Sequence, residues 1–386
     1  MAARSQQVYE SAVISSLRRF KDRYFPNTGK VLKDGVTPNH AAEPCHPGYF
    51  DSLPVDVQFL IMTFLSPADI CRLGATSKYW RAMVRDPLLW RYFLFRDMPH
   101  WTSIDHLTMP QMDAPVIDVD ESLDDREEGN HKGMELKFDY MSEYLKGSPS
   151  CRQQWLPSRP AYDVVTSFLQ SLVPSPEPRY AMFGPGMEEL DVSLVTRIMH
   201  APDVLPISGI PHRQINGIGS GISYIFNNQH KFNILTLYST FRAEREQARV
   251  QQQSIGSKLF VFEGSDETGG PVYTPVPQVQ QVCQVVDGFI YVANAEPGRV
   301  GDSASEAGHI RAVLSSGRGT PSRPLLVLSC ISRNQPRHRT PCVDMAKRLE
   351  LPRMTNPWMV QDVVAESLAG LLGGISWLLK CSGVKL

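Results

Sequence analysis

The stretch RYAMFGPGMEELDVSLV, residues 179–195, holds the residues best placed to do chemistry. A short apolar strand, Tyr180 to Phe183, runs into Gly184-Pro185-Gly186 and then into a helical pattern, read as one helix from Met187 to Met199. Backbone N–H groups at a helix N-terminus attract anions, and phosphate loops are built this way. A working loop of the form G-x-x-x-x-G-K-[ST] also needs its Lys for the β- and γ-phosphates and its hydroxyl for Mg²⁺. Counted from Gly184, the last three positions hold Glu189, Leu190 and Asp191; counted from Gly186, they hold Asp191, Val192 and Ser193. Neither register supplies Lys. A carboxylate about 4 Å from a phosphate costs about 4 kcal/mol at an effective dielectric near 20. The segment therefore reads as the strand, turn and helix of a phosphate cradle without its charge. Gly184 and Gly186 serve the turn, while Glu188, Glu189 and Asp191 meet the helix dipole and fill the anion site from within.

Other reactive residues do not assemble into a site. His40, Cys45 and His46 offer ligand atoms, but one Cys with no second cluster does not make a zinc site. The seven cysteines, at 45, 71, 151, 283, 330, 342 and 381, include no C-x-x-C pair and suit free thiols in a reducing compartment. None of the ten His has a nearby nucleophile-and-base pattern. The glycine-rich INGIGSGI (215–222) follows no clear strand and reads as a turn; SRNQPRHRT (332–340) reads as a solvated basic loop. No catalytic residue, metal site or cofactor is assigned. A formal net charge of −1 exerts no overall pull on nucleic acid or anionic membrane. No stretch approaches the roughly 18 apolar residues that span a bilayer.

The elements around these residues divide the chain of 386 residues. Residues 1–25 carry Tyr9, Val13, Leu17, Phe20 and Tyr24 at helical spacing, a docking helix whose Glu10 and Asp22 argue against a presequence. Residues 26–50 read as a flexible linker, 51–97 as a helical module, and 98–159 as a helical and acidic linker containing DVDESLDDREEG. From 160 to 386, short apolar strands alternate with helices: RYAMFG, GISYIF, FNILTLYS, GFIYVAN, PLLVLSCIS and PWMVQDV, with VPQVQQVCQVV, PCVDMAKRLEL and AESLAGLLGGISWLL as helices. Continuous apolar strands in that alternation predict a mostly parallel sheet with helices on both faces.

The helical module has the sharper pattern. Leu53-Pro54 opens a helix whose Val57, Ile61, Phe64 and Leu65 share one face. Ser66-Pro67 breaks it, Asp69, Ile70 and Leu73 open the next, Tyr79, Trp80, Met83 and Val84 form a third apolar face, and Asp86-Pro87 precedes Leu89, Trp90 and Phe93. A trihelical unit this small has more large apolar side chains than it can bury, so one face must go to a partner. The spacing of Leu53, Pro54, Leu65, Asp69, Ile70, Leu73, Trp80, Leu89 and Trp90 resembles the F-box family. The resemblance implies docking on the Skp-type adaptor of a cullin–RING ubiquitin ligase, with Leu53, Pro54, Val57, Ile61, Leu65, Ile70, Leu73, Trp80 and Trp90 as adaptor-binding residues. Trp80 fits the interface and the module's own core equally well.

The second half resembles a small GTPase. NPWMVQDVVAESLAGLLGGISWLLK carries Trp358, Gln361, Gly370, Gly373, Trp377 and Leu378 in the pattern of the last strand and helix of Arf-type proteins. The chemistry is missing: no Asp-x-x-Gly follows FNILTLYSTFR, and Ser329-Cys330-Ile331-Ser332 stands where Asn-Lys-x-Asp would read guanine. An F-box joined to such a domain resembles a family of non-catalytic substrate receptors in Skp–cullin–F-box ligases. The resemblance implies a telomeric repeat-binding factor and D-type cyclins as protein substrates, and a homodimer formed through the N-terminal helix. It also implies a cytoplasmic location with the nucleus as a second. It points to Cys342 and Ala346 as substrate-binding, small side chains four apart on one helix face; the alternative packs that helix on its own sheet. The first 25 residues contain no Ser-Pro, which removes the phosphorylation site the family places there. Two further readings stand beside this one: a nucleotide-regulated F-box switch, and an F-box protein acting outside a ligase.

Overall fold

The structure is a computed structural model, and it describes residues 50–111, 138–152, 177–209, 219–238, 258–265, 269–297, 303–316, 323–334 and 339–386. The N-terminal helix, His40, Cys45, His46 and the acidic run lie outside the described residues. These residues fall into two compact units, 50–97 with 138–144, and 98–111 with the chain from 145 onward.

The first unit is helical: α1 (Val55–Phe64), α2 (Pro67–Thr76), α3 (Lys78–Met83), α4 (Pro87–Asp97) and the start of α5 (Tyr140–Gly147). Two of its breaks, at Ser66-Pro67 and Asp86-Pro87, fall where the sequence places them, and Ser77 adds a third. Ser66 caps α2 by accepting the Asp69 N–H at 3.1 Å, with Pro67 in the first turn. Ser77 caps α3 through the Trp80 N–H. Asp86 accepts the Leu88 N–H at 2.7 Å where α4 begins. Such caps satisfy amide groups that have no partner within the helix. Met62, Ile70, Leu89, Trp90, Phe93 and Leu94 form the core. The Trp90 indole N–H donates to the Val84 carbonyl at 2.6 Å, and Tyr144 of α5 packs its ring 5.5 Å from Trp90.

The second unit is built on an eight-stranded sheet. In chain order its elements are β1 (Ser103–Asp105), α6 (Pro149–Arg152), β2 (Arg179–Phe183), α7 (Gly186–Glu189), α8 (Leu194–Met199), β3 (Ile207–Gly209), β4 (Gly219–Phe226) and β5 (His230–Leu237). A separate hairpin of β6 (Phe260–Ser265) and β7 (Pro271–Pro275) follows. Then come α9 (Pro277–Val285), β8 (Gly288–Asn294), α10 (Ser303–Ser315), β9 (Leu325–Ile331), α11 (Cys342–Arg348), β10 (Trp358–Val364) and α12 (Leu371–Cys381). The strand order is β1-β10-β9-β8-β2-β5-β4-β3. β10, β9, β8, β2 and β5 are mutually parallel, and β1, β4 and β3 are antiparallel to their neighbours. Every residue of β8 and β9 is buried, as a strand covered on both faces must be. Tyr180, Met182, Ile290, Val292, Leu326 and Leu328 pack with α8 and α12 on one face. Their alternates point the other way, where Phe183 meets Tyr291 edge-on and Tyr291 donates to Glu306 of α10.

Four features depart from the sequence reading. The helix expected from Met187 to Met199 is two short helices, because Leu190 turns extended and Ser193 starts α8 afresh by accepting the Thr196 N–H. Asp191 therefore stands beyond α7 rather than in a first helical turn. The stretch 98–159, read as linker, contributes β1, whose Ser103 pairs with Gln361. Arg152 holds it there by donating to the Ser103 carbonyl at 2.7 Å. A three-residue strand is too short to show alternation. The glycines of 219–221, read as a turn, open β4. Helix α10 and the β6–β7 hairpin were not read from the sequence. Ala307, Gly308, Ile310, Ala312 and Val313 of α10 are all buried, which blurs its period. The hairpin is held by α10 through Phe260 stacked on His309 and by a 2.8 Å bond between the Tyr273 and Ser305 hydroxyls.

Candidate functional site

Two places in the molecule were conspicuous in the sequence, and a third was proposed. Each can be rebuilt from its side chains.

Helix α1 of the first unit is apolar nearly all round. Phe59 and Met62 take the core positions, which turns other large side chains outward. Leu53, Pro54 and Val57 are exposed, and Ile61, Leu65 and Leu73 are half-buried. Leu60, Phe64 and Tyr79 join them, with Phe64 80% exposed. Leu60 and Phe64 were missed as site residues, although they lie three and seven residues after Val57 and so on its face. Tyr79 was read only as part of an internal face. Ile70 and Trp90 were expected at the interface, and Trp80 equally there or in the core; all three are buried inside the unit. Trp80 stacks on Phe50 at 4.4 Å, and Trp90 spends its N–H on Val84, so neither ring is presented to a partner. Burial raises the Tyr79 hydroxyl pKa, opposed by its bond to Gln58 and helped by Asp51. The phenol stays neutral and able to donate.

The glycine turn of the second unit lies at the C-terminal end of β2, where open parallel sheets bind their ligands. Gly184 sits at φ +126°, and a Cβ there would lie 2.5 Å from the Val292 carbonyl oxygen. A Cβ on Gly186 would lie 2.9 Å from the Ala293 carbonyl oxygen. The glycines thus let the turn lie against β8. The polar groups along this rim bond one another. Asn294 donates its amide to Glu189 at 3.1 Å and accepts the Glu296 N–H at 3.0 Å. Glu296 accepts the Ser332 N–H at 2.8 Å, and the Ser332 hydroxyl accepts the Asp191 N–H at 3.1 Å. Ser332 is the last residue of the Ser329–Ser332 stretch that stands in place of the guanine-reading motif. Of the three acids expected to fill an anion site, Glu188 is buried, Asp191 enters the rim through its N–H, and Glu189 joins it with its carboxylate. Glu296, which no sequence motif marked, does the same.

The third place fails as a docking surface. Cys342 and Ala346 of α11 are both 0% exposed. The Cys342 thiol donates to Asp362 of β10 at 2.9 Å, and Arg339 pairs with the same carboxylate at 2.7 Å. Burial pushes Cys342 well above the ordinary thiol value, so it stays a neutral donor. Burial also raises Asp362 to about 6, against the pull of Arg339 and Cys342. The i, i+4 spacing of small side chains was real, but it serves contact of α11 with its own sheet. A large charged side chain at either position would act on folding, not on a partner.

The F-box-like family model matches residues 50–96. F-box only protein 4 of mouse is 45% identical over 379 residues, covering 96% of this chain and 92% of that protein. The human protein of that name is 48% identical over 330 residues, covering 85% of this chain and 82% of its own length. The chain belongs to the F-box only protein 4 family. Among solved structures, the Arl6 small GTPase of Trypanosoma brucei aligns with a TM-score of 0.33 and 12% identity over 54% of this chain and 98% of that one. The residues matched by the F-box-like model include α1 and its exposed face. Among the described residues no helix is long and apolar enough to cross a membrane, and no cluster of His, Cys, Asp or Glu could hold a metal ion.

Proposed function

We propose that this chain is the substrate-recognition subunit of a Skp–cullin–F-box ubiquitin ligase. Its F-box docks on the Skp-type adaptor through Leu53, Pro54, Val57, Leu60, Phe64 and Tyr79, with Ile61, Leu65 and Leu73 at the margin. The sheet unit binds protein substrates of the telomeric repeat-binding factor and D-type cyclin classes, and it does so without nucleotide chemistry. The receptor contributes proximity, raising the effective concentration of substrate at the ligase, while bond-making belongs to other subunits. The protein works in the cytoplasm with access to the nucleus.

The observation that carries this reading is the apolar face of α1, with Phe64 80% exposed in a unit that already has a complete core. Co-purification tests it. The full chain brings down the adaptor and cullin together, and Leu53→Ala with Pro54→Ala loses both while the second unit keeps its own unfolding transition. Adaptor retained by the double variant would refute the docking face; adaptor without cullin would place the protein outside a ligase.

A further inference from the structure

Leu53 and Pro54 stand on a loop, Phe50 to Pro54, that belongs to no helix, and a loop is a poor platform for a precise contact. In this unit one side chain ties it down. Gln58, one turn into α1, is 0% exposed. Its Nε2 donates to the carbonyls of Phe50 at 3.0 Å, Asp51 at 3.2 Å and Leu53 at 3.0 Å. Its Oε1 accepts the Tyr79 hydroxyl at 2.5 Å. Two amide hydrogens shared among three carbonyls on one side, and a hydroxyl on the other, fix which way the amide points. An amide so buried is tolerated only when bonded, and an aliphatic side chain would fill the site without that demand. Trp80 reinforces the same loop. Its ring lies nearly parallel to Phe50, at 9°, and its indole N–H donates to Asp51 Oδ1 at 2.7 Å.

We propose that Gln58 is a positioning residue for the adaptor face, locking the Leu53–Pro54 loop and the Tyr79 ring, on opposite sides of its amide, into one rigid surface. This rests on the adaptor reading above. Ordering the loop during folding removes a cost that docking would otherwise bear. Gln58 itself touches no partner.

The test measures affinity of the full chain for purified Skp-type adaptor together with amide hydrogen exchange. Gln58→Leu is expected to weaken binding about ten-fold. Faster exchange should be confined to the Leu53 amide, which bonds the Phe50 carbonyl, and its neighbours, with the core of α2 and α4 unmoved. A merely structural role would move exchange throughout the unit. Tyr79→Phe removes the bond to Oε1 and keeps the ring and the amide's contacts to the loop, so about three-fold is expected together with faster exchange at the Leu53 amide; loss of a direct hydroxyl contact would not move that exchange, so this variant decides the matter if Gln58→Leu does not fold. Leu53→Ala separates the two claims. If Leu53→Ala weakens binding while Gln58→Leu and Tyr79→Phe bind as wild type, positioning by Gln58 is overturned. If Leu53→Ala binds as wild type, the adaptor face itself is wrong.

Discussion

At the start of α1, Leu53, Pro54 and Val57 stand in solvent, and Phe64 ends the same helix with most of its ring exposed. At the C-terminal rim of the sheet, Glu189, Asn294, Glu296 and Ser332 bond in a chain beside the glycine turn. Each region carries a motif that stands out in the sequence. One is left incomplete on its apolar side and needs a second molecule; the other has completed itself with its own polar groups. Function is to be sought where satisfaction is incomplete, and a motif whose groups have found internal partners is a structural element whatever its ancestry. Gln58 shows that the two strategies can coexist, since a saturated polar hub lies directly beneath the unsatisfied face.

That contrast can be broken most decisively at the F-box. Leu53→Ala with Pro54→Ala should cut adaptor affinity more than about 100-fold, the loss expected when two buried anchors of an interface go. Surface binding assays check it, and a loss under about five-fold would mean that the exposed face is not the anchor. Next in size is Gly184→Ala. With φ at +126° and the Val292 carbonyl 2.5 Å from the new methyl, the sheet unit should lose about 3 kcal/mol in denaturant unfolding. Tolerance of the methyl would return the turn to the class of spare phosphate loops.

Asp362 gives a smaller, signed effect. Its carboxyl is raised to about 6 from an ordinary 3.8, so the folded state binds the proton more tightly than the unfolded chain does. Stability from this group therefore falls as pH rises from about 4 to about 6 and is flat above. Between pH 7 and pH 5 the wild type should gain on Asp362→Asn by about 1 kcal/mol, read from paired denaturation curves. Parallel curves would show that Arg339 holds the carboxylate in its normal range. The smallest expected effect is none at all: GTP with Mg²⁺ up to about 1 mM should leave the calorimetric trace of the full chain unchanged. Micromolar binding would reopen the rim as a ligand site.

Much of this was legible beforehand, for identifiable reasons. The helix breaks at Ser66-Pro67 and Asp86-Pro87 depend on residues that cap and restrict locally, so they can be located in the sequence. The strands GFIYVAN and PLLVLSCIS are unbroken apolar runs, and only a sheet covered on both faces buries every residue of such a run. The missing phosphate-loop Lys needed only counting. Helix α10 escaped because it buries most of its circumference, and β1 because three residues carry no period. The long reading of Met187 to Met199 failed because Ser193 suits a fresh cap as well as a helix interior facing solvent.

By itself, the sequence determined the helical module, the parallel strands and the lack of a phosphate-loop Lys, since each follows from local backbone preference, side-chain period or the identity of a residue at a counted position. Tertiary structure alone decided which apolar residues remain outside. Ile70, Trp80 and Trp90 went in, while Leu60, Phe64 and Tyr79 stayed out. Cys342 and Ala346 turned toward Asp362 and the sheet, and Gln58 found three carbonyls that no periodicity could announce. Periodicity reports that a side chain avoids water or shares a face. Which neighbour covers it depends on elements distant in the chain, and only their packing supplies that partner.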